Sequence, residues 1–540
     1  MLLSFDWVTS IRAMAVTACF LLLSCGPTDS AKKEDVKDDS RPRQAQAAPA
    51  RAVILAINDV YRIEGAADGT LGGLARVRTL RRQLNDGGDP VLVLHAGDAL
   101  APALMSKKFN GGEQMIDVLN LLDGDGEAFD PHMVMTFGNH EFDLKTAELL
   151  DARVEQSQFT WLDTNIDWAD GEAGEEVVAA DHLVKTHRVE MGGLTIGLFS
   201  LTTDEAHPEY IAEFGDLSAT ARTTVAHLRG SGCDVVVGLT HLRVSQDQAL
   251  LEELGAEGPD LIVGGHDHVA VERNVDGRWL VKADADALSA RVIELERDAG
   301  TLKIKQRLVR LGAEGLDVLD PTVDERVQSW LKRFDPDGAL AEPVGVTQVE
   351  LNAEELTIRR YETNLGSWVA DQMRDAIKGK PAQIALVNSG SLRLNDVIPP
   401  GNVTRGHLKE LLPYATDLVM VSLTGADIDR ALQHSVSDWN ASGHFLQVSG
   451  LKFDHLVAES KAANIHYRDG DAWVPLDPAA TYSVMLSGYI AGGKDGYPHF
   501  AEAKRLGEGG DLEKLLMARL KVAGKAGIAP KVMGRIQTIE

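Results

Sequence analysis

The sequence predicts an α/β fold in which a mixed sandwich of two sheets, flanked by helices, precedes a separate C-terminal α/β domain. Three observations support this fold class. Short continuous apolar runs recur along the chain and end at polar residues, as buried parallel strands do. Segments with helical apolar spacing separate the first runs, and segments typical of antiparallel hairpins follow. A charged stretch interrupted by Pro343 then separates two regions that each have their own strands and helices.

The predicted strands of the first domain, residues 51–314, end at residues with ligand chemistry. These strands cover residues 52–57, 91–95, 132–136, 233–239 and 261–263. Helices are predicted over residues 74–84 and 112–122. Antiparallel hairpins are predicted over 184–201, with a turn at Gly192-Gly193, and over 271–311, with turns at Asp276-Gly277 and Asp298-Ala299-Gly300. Because open α/β sheets bind ligands beyond the carboxyl ends of their strands, we expect the site there.

The second domain, residues 344–540, follows a connector helix and linker over residues 315–343. The connector is charged, has apolar residues at helical spacing and ends at Pro343. In the second domain the pattern predicts helices over 364–377 and 425–435 and strands over 383–387, 418–423, 451–453 and 482–486. The sequence has neither an internal repeat nor a coiled coil, and it does not indicate an oligomeric state.

Residues 1–25 are predicted to be a lipoprotein signal peptide. Arg12 precedes an apolar run over residues 13–23, which has the length of a signal sequence rather than of a membrane span. The run ends Leu22-Leu23-Ser24-Cys25 and resembles the bacterial lipoprotein box, in which the cysteine is diacylated. A simple secretory signal is the alternative, and Met14 is an alternative start. Residues 26–50 have no apolar periodicity and predict a disordered tether. We therefore expect an exported protein that is anchored to a bacterial membrane, at its periplasmic or cell-surface face, through lipid on Cys25.

The overall charge argues against some classes of partner. The chain has 54 Lys and Arg against 81 Asp and Glu, a net charge of −27. Such a chain repels polyanions at long range, which disfavours a nucleic-acid duplex as partner. A small anionic substrate is compatible with it, because bound divalent cations reverse the field locally. After export Cys25 and Cys233 would be left, and lipid on Cys25 would leave no disulfide.

Polar residues at successive strand ends predict a metal site. They are Asp59, Asp98, Asn139, His241, His266 and His268. Carboxylate, amide and imidazole ligands together suit Mn, Zn, Fe or Co rather than a thiolate-bound metal. Two cations about 3.5–4 Å apart would clamp a phosphate group and supply a hydroxide nucleophile. Each residue alone has a plain structural reading, such as a turn cap for Asp59 or a core histidine for His241. Their joint occurrence in one order favours a two-metal phosphoesterase.

These residues, with the loop Gly138-Asn139-His140-Glu141, resemble the bacterial 5′-nucleotidase / UDP-sugar hydrolase / 2′,3′-cyclic-nucleotide phosphodiesterase family of calcineurin-like metallophosphoesterases. The resemblance extends over nearly the whole chain from Ala52 onward. It implies a four-layer α/β/β/α sandwich followed by a 5′-nucleotidase C-terminal substrate-recognition domain.

The resemblance also implies roles for the site residues. Asp98 would bridge two divalent or mixed-valence metal ions. Asn139, His241 and His266 would bind one ion, and Asp59 and His268 the other. His140 and Asp143 would form the acid and orienter dyad over the phosphate, and Glu141 would support the site without being a ligand.

Tyr61 departs from the family pattern, which usually has Asp-x-His where this chain has Asp59-Val60-Tyr61. One metal is therefore a ligand short. Tyr61 could ligate as a phenolate, as a tyrosine from a different position does in the related purple acid phosphatases, and this would favour Fe(III). Alternatively, water or His95 could fill the gap, or one metal could be lost, which would leave a nucleotide-binding protein.

Matching motifs in the second domain imply the substrate contacts. By resemblance, two aromatic rings sandwich the base, arginines and an asparagine hold phosphate or ribose, and an aspartate accepts from ribose hydroxyls. The positions that match are Tyr414 and Tyr489 for the rings, Asn388, Arg393 and Arg359 for the polar groups, and Asp495 for the ribose acceptor. The family usually has Phe at both ring positions. Tyrosine keeps the π-face, which stacks on any base, and adds a hydroxyl.

The function that these expectations imply is hydrolysis of phosphate esters of extracytoplasmic nucleotides by in-line attack of metal-bound hydroxide. A 2′,3′-cyclic-nucleotide phosphodiesterase or a UDP-sugar hydrolase would use the same site. A thiosulfohydrolase on the same fold is a further alternative, and the aromatic pair speaks against it. A surface nucleotide-binding protein without turnover is the non-enzymatic alternative, and the His140–Asp143 dyad speaks against that.

Overall fold

The structure, a computed structural model, describes residues 50–170, 177–298, 300–439 and 442–539. The predicted signal peptide, the tether up to residue 49 and Cys25 lie outside the described residues. Residue 50, predicted as the end of the tether, belongs to the first strand, Ala50–Ile57. No helix in the described ranges combines the length and the apolarity that crossing a bilayer requires.

Two mixed sheets form the first part of the described chain. The strands of the first sheet, in spatial order, are Thr301–Arg310, Ser289–Asp298, Ala50–Ile57, Val91–His95, Met133–Thr136, Thr160–Leu162 and Leu183–Val184. Those of the second sheet are Val271–Val275, Arg278–Lys282, Leu261–Gly264, Val235–His241, Leu194–Thr202 and Thr186–Met191. Ile166–Trp168 and Ile211–Phe214 form a small separate pair. Residues 271–311, predicted as consecutive hairpins, are thus divided between the two sheets.

The strand Ala50–Ile57 shows how the layers arise from the sequence. Its side chains alternate, since successive residues of a strand point to opposite faces. Val53, Leu55 and Ile57 belong to a core shared with helices, whereas Ala52, Ile54 and Ala56 belong to a core shared with the second sheet. A third core covers the other face of the second sheet. The predicted four-layer α/β/β/α sandwich is therefore confirmed.

Helices cover the outer faces of both sheets. On the first sheet they include Leu74–Asp86, Leu104–Lys108, Glu113–Leu119, Ala147–Gln156 and Pro321–Phe334, and on the second sheet Leu217–Gly230 and Val244–Leu254. The helix Pro321–Phe334 lies in the predicted connector. Asp320 caps it by accepting hydrogen bonds from the backbone N–H groups of Thr322 and Val323. Val323, Val327 and Trp330 bury one face of this helix against the first core, because apolar residues at this spacing share a helix face.

The second part of the chain has a mixed sheet with a hydrophobic core on each face. Its strands, in spatial order, are Leu446–Ser449, Ile384–Asn388, Thr481–Ser487, Asp417–Thr424 and Lys504–Asp511. A further sheet has Ala472–Pro475, Lys461–Asp469, Leu451–Leu456 and Ile536–Ile539, and Pro343–Thr347 pairs with Gly401–Thr404 and Leu351–Asn352 with Val397–Ile398. The helices are Glu355–Ile358, Asn364–Arg374, Arg405–Leu411, Gly425–Ser435, Gly488–Ala491 and Leu512–Ala523.

The strand directions explain where the site lies. In the first sheet, Ala50–Ile57 runs parallel to Val91–His95, which runs parallel to Met133–Thr136. In the second sheet, Val235–His241 runs parallel to Leu261–Gly264. The carboxyl ends of parallel strands meet at one edge of a sheet. Within each sheet, the loops that follow these strands therefore converge.

Candidate metal centre and substrate cavity

The loops after the strands bring the predicted ligands together in a strained backbone conformation. Asp59, Asp98, His266 and His268 have φ angles of 52°, 60°, 80° and 62°. Residues other than glycine rarely adopt positive φ, and such strain persists where the surrounding structure imposes it, often at functional sites. The ligand-type oxygen and nitrogen atoms of Asp59, Asp98 and His268 lie within 4.8 Å of one another, and all three residues are buried.

His241 presents one ring nitrogen to the two carboxylates. Its Nδ1 lies 2.7 Å from the carbonyl oxygen of Ala96, which holds a proton on that nitrogen. Its Nε2 is buried without a hydrogen-bond partner and lies 3.3 Å from Asp98 Oδ2. Burial lowers the pKa of His241, but Asp98 and Asp59 outweigh it and raise the pKa to about 10. The position thus favours positive charge, which a cation would supply in place of the proton.

Asn139 and His266 converge in the same way. His266 Nδ1 lies 3.1 Å from Asn139 Oδ1, and on the other side of the ring Nε2 lies 3.6 Å from Glu205 Oε1. Arg243 holds Glu205 at 2.7 Å. Burial raises the pKa of Glu205, but His266 and Arg243 lower it to about 2. Glu205 and Arg243 were not predicted from the sequence, since neither lies in a recognisable motif.

Glu141 holds the metal-site loops against each other. Its carboxylate accepts hydrogen bonds from the backbone N–H groups of Asp98, Ala99, Leu100 and Gly138, at 2.6 to 3.0 Å. The loops pack so closely that a Cβ atom at Gly138 would lie 2.1 Å from Asp98 Oδ1. A larger residue at position 138 would therefore displace the Asp98 carboxylate.

Lys282 holds the loops that carry His241 and His266. In the sequence it is only a lysine within a strand, and no motif marks it as part of the site. It is 1% exposed. Its Nζ donates to the carbonyl oxygens of Leu242 and Gly265, at 2.6 and 2.8 Å, which follow His241 and precede His266 in the chain. Nζ also pairs with Asp247 and Asp267 at 2.7 and 2.6 Å.

Tyr61 lies among the candidate ligands. Its hydroxyl is 2.9 Å from Asp98 Oδ2 and 2.9 Å from His268 Nε2. Burial, Asp98 and Asp59 raise the pKa of the Tyr61 hydroxyl well above its usual value. His95, the alternative to Tyr61 at this position, is fully buried, and neither of its ring nitrogens has a hydrogen-bond partner. Burial lowers the pKa of His95 to about 4.

The predicted dyad residues contact each other. His140 Nδ1 lies 2.7 Å from Asp143 Oδ2. The backbone N–H of His140 donates to Asp98 Oδ1 at 2.8 Å, which ties the dyad to the metal centre. With a proton on Nδ1, the Nε2 atom is left as an acceptor, 3.3 Å from the guanidinium of Arg393.

One cavity of about 720 Å³ joins the metal centre to the C-terminal residues. Its size is within the usual range for ligand sites. The predicted site residues that line it are Asp98, Asn139, His140, Asp143, His266, His268, Arg359, Asn388, Arg393, Tyr414, Tyr489 and Asp495. Asp59 and His241 do not line the cavity, because they are fully buried beneath it.

The C-terminal wall of the cavity presents polar and aromatic groups. Asn388 Nδ2 donates to Asp495 Oδ2 at 2.9 Å, and the side-chain oxygen of Asn388 is buried without a hydrogen-bond partner. Tyr414 and Tyr489 are 38% and 57% exposed, so their rings are accessible to a ligand. Lys107 Nζ lies 5.0 Å from the centre of the Tyr414 ring.

Comparisons with known proteins agree with this architecture. The family model described as calcineurin-like phosphoesterase matches residues 52–270. The model described as 5′-nucleotidase, C-terminal domain, matches residues 343–502. The trifunctional nucleotide phosphoesterase protein YfkN of Bacillus subtilis (strain 168) is 26% identical over 554 residues, which cover 93% of this chain and 36% of YfkN. The chain thus spans little more than a third of that relative.

Solved structures match almost the whole chain. The 5′-nucleotidase precursor from Thermus thermophilus is 26% identical, with a TM-score of 0.74 over 91% of this chain and 99% of that one. Sulfate thiohydrolase SoxB of Thermus thermophilus is 17% identical, with a TM-score of 0.69 over 90% of this chain and 96% of that one. At this identity the second likeness concerns the fold alone.

Proposed function

Since the chain belongs to the calcineurin-like metallophosphoesterases with a 5′-nucleotidase C-terminal domain, we propose that it hydrolyses phosphate esters of nucleotides outside the cytoplasm. Enzymes of this family are phosphoesterases that use a dimetal centre. One observation carries the proposal of a nucleotide substrate. A single cavity is lined by candidate metal ligands, by both dyad residues and by all six predicted substrate residues.

The residues at the strand ends fit a pair of cations. Buried carboxylates, the unpartnered His241 Nε2 and the facing Asn139 and His266 form a donor set of oxygen and nitrogen atoms, which suits Mn, Zn, Fe or Co. The predicted ligands Asp59, Asp98, Asn139, His241, His266 and His268 would hold the ions. When bound, such ions neutralise phosphate charge and lower the pKa of water so that it attacks phosphorus in line.

The protein's own groups would bind and orient the phosphate. Arg393 and Arg359 line the cavity beside His140, and guanidinium groups recognise phosphate oxygens by paired hydrogen bonds. Asp143 orients the His140 ring so that Nε2 faces the cavity. With a second proton on Nε2, the His140 imidazolium would donate that proton to the leaving oxygen as the ester bond breaks.

The second half of the cavity would hold the nucleoside. Tyr414 and Tyr489 offer exposed rings for stacking, and stacking contributes about 1–3 kcal/mol per base whichever base is present. Asp495, held by Asn388, would accept hydrogen bonds from the ribose hydroxyls. We therefore expect the protein to accept nucleotides with any base and to prefer those that carry a ribose.

Product formation from a substrate panel tests the proposal, measured as phosphate from AMP, as UMP and glucose 1-phosphate from UDP-glucose, and as adenosine monophosphate from 2′,3′-cyclic AMP. Metal-stripped protein is reconstituted with Mn, Zn or Fe and assayed with AMP, UDP-glucose and 2′,3′-cyclic AMP. We expect AMP to be hydrolysed fastest, with at least one metal. Preference for one of the other two substrates would favour the alternative phosphodiesterase or sugar-nucleotide activity. Absence of turnover with every combination would contradict the enzyme and favour a nucleotide-binding protein.

Export and lipid anchoring are part of the same proposal and rest on residues 12–25. A lipidated Cys25 would place the enzyme at a membrane surface where extracytoplasmic nucleotides are available. Mass spectrometry of the N-terminal peptide from native membranes tests this. An unmodified Cys25, or a Cys25→Ala variant that stays in the membrane fraction, would contradict the anchor.

A further inference from the structure

Glu355 reaches the metal centre from the C-terminal half of the chain. It begins the helix Glu355–Ile358 and is 3% exposed. Its Oε2 accepts a hydrogen bond from His268 Nδ1, and its Oε1 accepts one from the guanidinium of Arg359 at 2.7 Å. One carboxylate is therefore shared between a candidate metal ligand and a candidate phosphate-binding arginine.

The two ring nitrogens of His268 determine what Glu355 can do. Nδ1 is held by Glu355, whereas Nε2 faces the metal centre, 3.3 Å from Asp59 Oδ1. Glu355 thus lies on the opposite side of the ring from the candidate metal position and is not a ligand there. A carboxylate at Nδ1 keeps the proton on that nitrogen. Nε2, on the side of the ring that faces the metal centre, is then the nitrogen left to bind a cation, and the ring orientation is fixed.

The surroundings of Glu355 keep it charged and in place. A buried carboxylate is costly unless it is paired, and here Arg359 provides the pairing while Arg393 Nε lies 4.0 Å away. The backbone N–H of Glu355 donates to Asn395 Oδ1 at 3.1 Å, which fixes the start of its short helix. The position of the carboxylate against His268 therefore depends on how the C-terminal half packs on the first domain.

We propose that Glu355 is a positioning residue that sets the metal affinity of His268 from the substrate-binding half of the cavity. The inference rests on the proposed function, because it requires the metal centre. The departure at Tyr61 makes this support more important. With a tyrosine where the related enzymes usually have a histidine, the orientation of the remaining imidazole counts for more at that ion.

Metal titration of full-length, chelator-stripped protein tests the role of Glu355. Calorimetric titration with Mn²⁺ or Zn²⁺ gives the Kd of each ion for the wild type, for Glu355→Ala and for Glu355→Gln. We expect Glu355→Ala to weaken one of the two ions by about 10–100-fold, the usual effect of losing a group that orients a ligand. Glu355→Gln, whose amide oxygen can still accept from Nδ1, should be intermediate. Glu354→Gln is the matched control, since Glu354 is the exposed neighbouring carboxylate.

A purely structural role would give a different result. It would lower the free energy of unfolding in the presence of chelator without changing either Kd. Wild-type Kd values for both ions in Glu355→Gln would overturn the inference, and this variant decides the test if Glu355→Ala does not fold. The titration measures binding and does not depend on turnover. If the wild-type protein binds two ions but hydrolyses no substrate, the proposed function is contradicted. The comparison of Kd values between the variants still tests the role of Glu355.

Discussion

The hydroxyl of Tyr414 lies 3.2 Å from the Asp143 carboxylate, although the two residues are 271 positions apart. The phenylalanine that is usual in the family could not make this contact. An expected base-stacking ring therefore also contacts the His140–Asp143 dyad, and the two roles of Tyr414 can be separated by substitution.

Tyr414→Phe should lower kcat and leave KM nearly unchanged. Phenylalanine keeps the ring for stacking but loses the hydrogen bond, a contribution of about 0.5–1.5 kcal/mol, or roughly 2–10-fold in rate. Tyr414→Ala should also raise KM, by roughly 5–150-fold if stacking contributes about 1–3 kcal/mol. Steady-state kinetics with AMP measures both. Equal effects of the two variants on KM would contradict the stacking role.

His140→Gln should lower kcat by about 10²–10⁴-fold, the usual contribution of general acid–base catalysis. Asp143→Asn should have a smaller effect, because Asp143 acts through the orientation of the His140 ring. Metal content after reconstitution serves as the control and should be unchanged. If His140→Gln keeps more than half of the wild-type kcat, His140 is not the acid.

Tyr61→His should tighten metal binding at one of the two sites. The substitution places an imidazole where the family usually has one, beside Asp98 and His268. Tyr61→Phe, which keeps the ring and removes the oxygen, is the matched control and should bind metal no more tightly than the wild type.

If Tyr61 ligates Fe(III) as a phenolate, the iron-loaded wild type should be coloured and Tyr61→Phe colourless. Colourless iron-loaded wild type would contradict the phenolate.

Lys282→Met should lower the free energy of unfolding by about 3–5 kcal/mol, since it leaves the buried Asp247 and Asp267 carboxylates without their cation. The loops that carry the candidate metal ligands His241 and His266 should loosen with it. Urea unfolding in chelator measures the stability without the metal contribution. Lys303→Met is the control, because Lys303 has a side chain that is 54% exposed, and it should change stability by less than about 0.5 kcal/mol. Equal stability of the two variants would show that the buried pairs contribute little.

His444 should make the protein less stable in mild acid. Burial lowers its pKa to about 4 from the usual 6.5, while Asp438 opposes the shift. Between these pH values the unfolded chain binds the proton and the folded protein does not, so stability falls as the pH decreases from 6.5 to 4. The full loss is about 3 kcal/mol. Urea unfolding from about pH 7 to about pH 4 should show a shallower loss for His444→Gln, and an unchanged slope would contradict the assignment.

Much of the fold and of the metal centre follows from local sequence pattern. Continuous apolar runs, such as that within Ala50–Ile57, specify strands with two buried faces. Parallel strands bring their carboxyl ends to one edge of a sheet, so residues that follow neighbouring strands of one sheet, such as Asp59 and Asp98, converge whatever the loop lengths. The helices and strands that were predicted differ from the structure mainly at their ends, whereas others, such as the helices Leu217–Gly230 and Leu512–Ala523, were not predicted. The division of residues 271–311 between two sheets was not predicted, because a hairpin pattern does not specify which sheet it joins.

The family, the sandwich fold and the candidate ligands at the strand ends can all be inferred from the order of residues in the chain. The groups that hold those ligands are defined by tertiary packing. Glu355 contacts a histidine 87 positions away, and Lys282 meets Asp247 and Asp267 only because separate loops pack on one strand. Such contacts depend on the packing of distant segments and produce neither a periodic pattern nor a fixed residue spacing in the sequence. The residues at strand ends can be identified from local sequence pattern, whereas the partners that orient their side chains can be identified only from the tertiary structure.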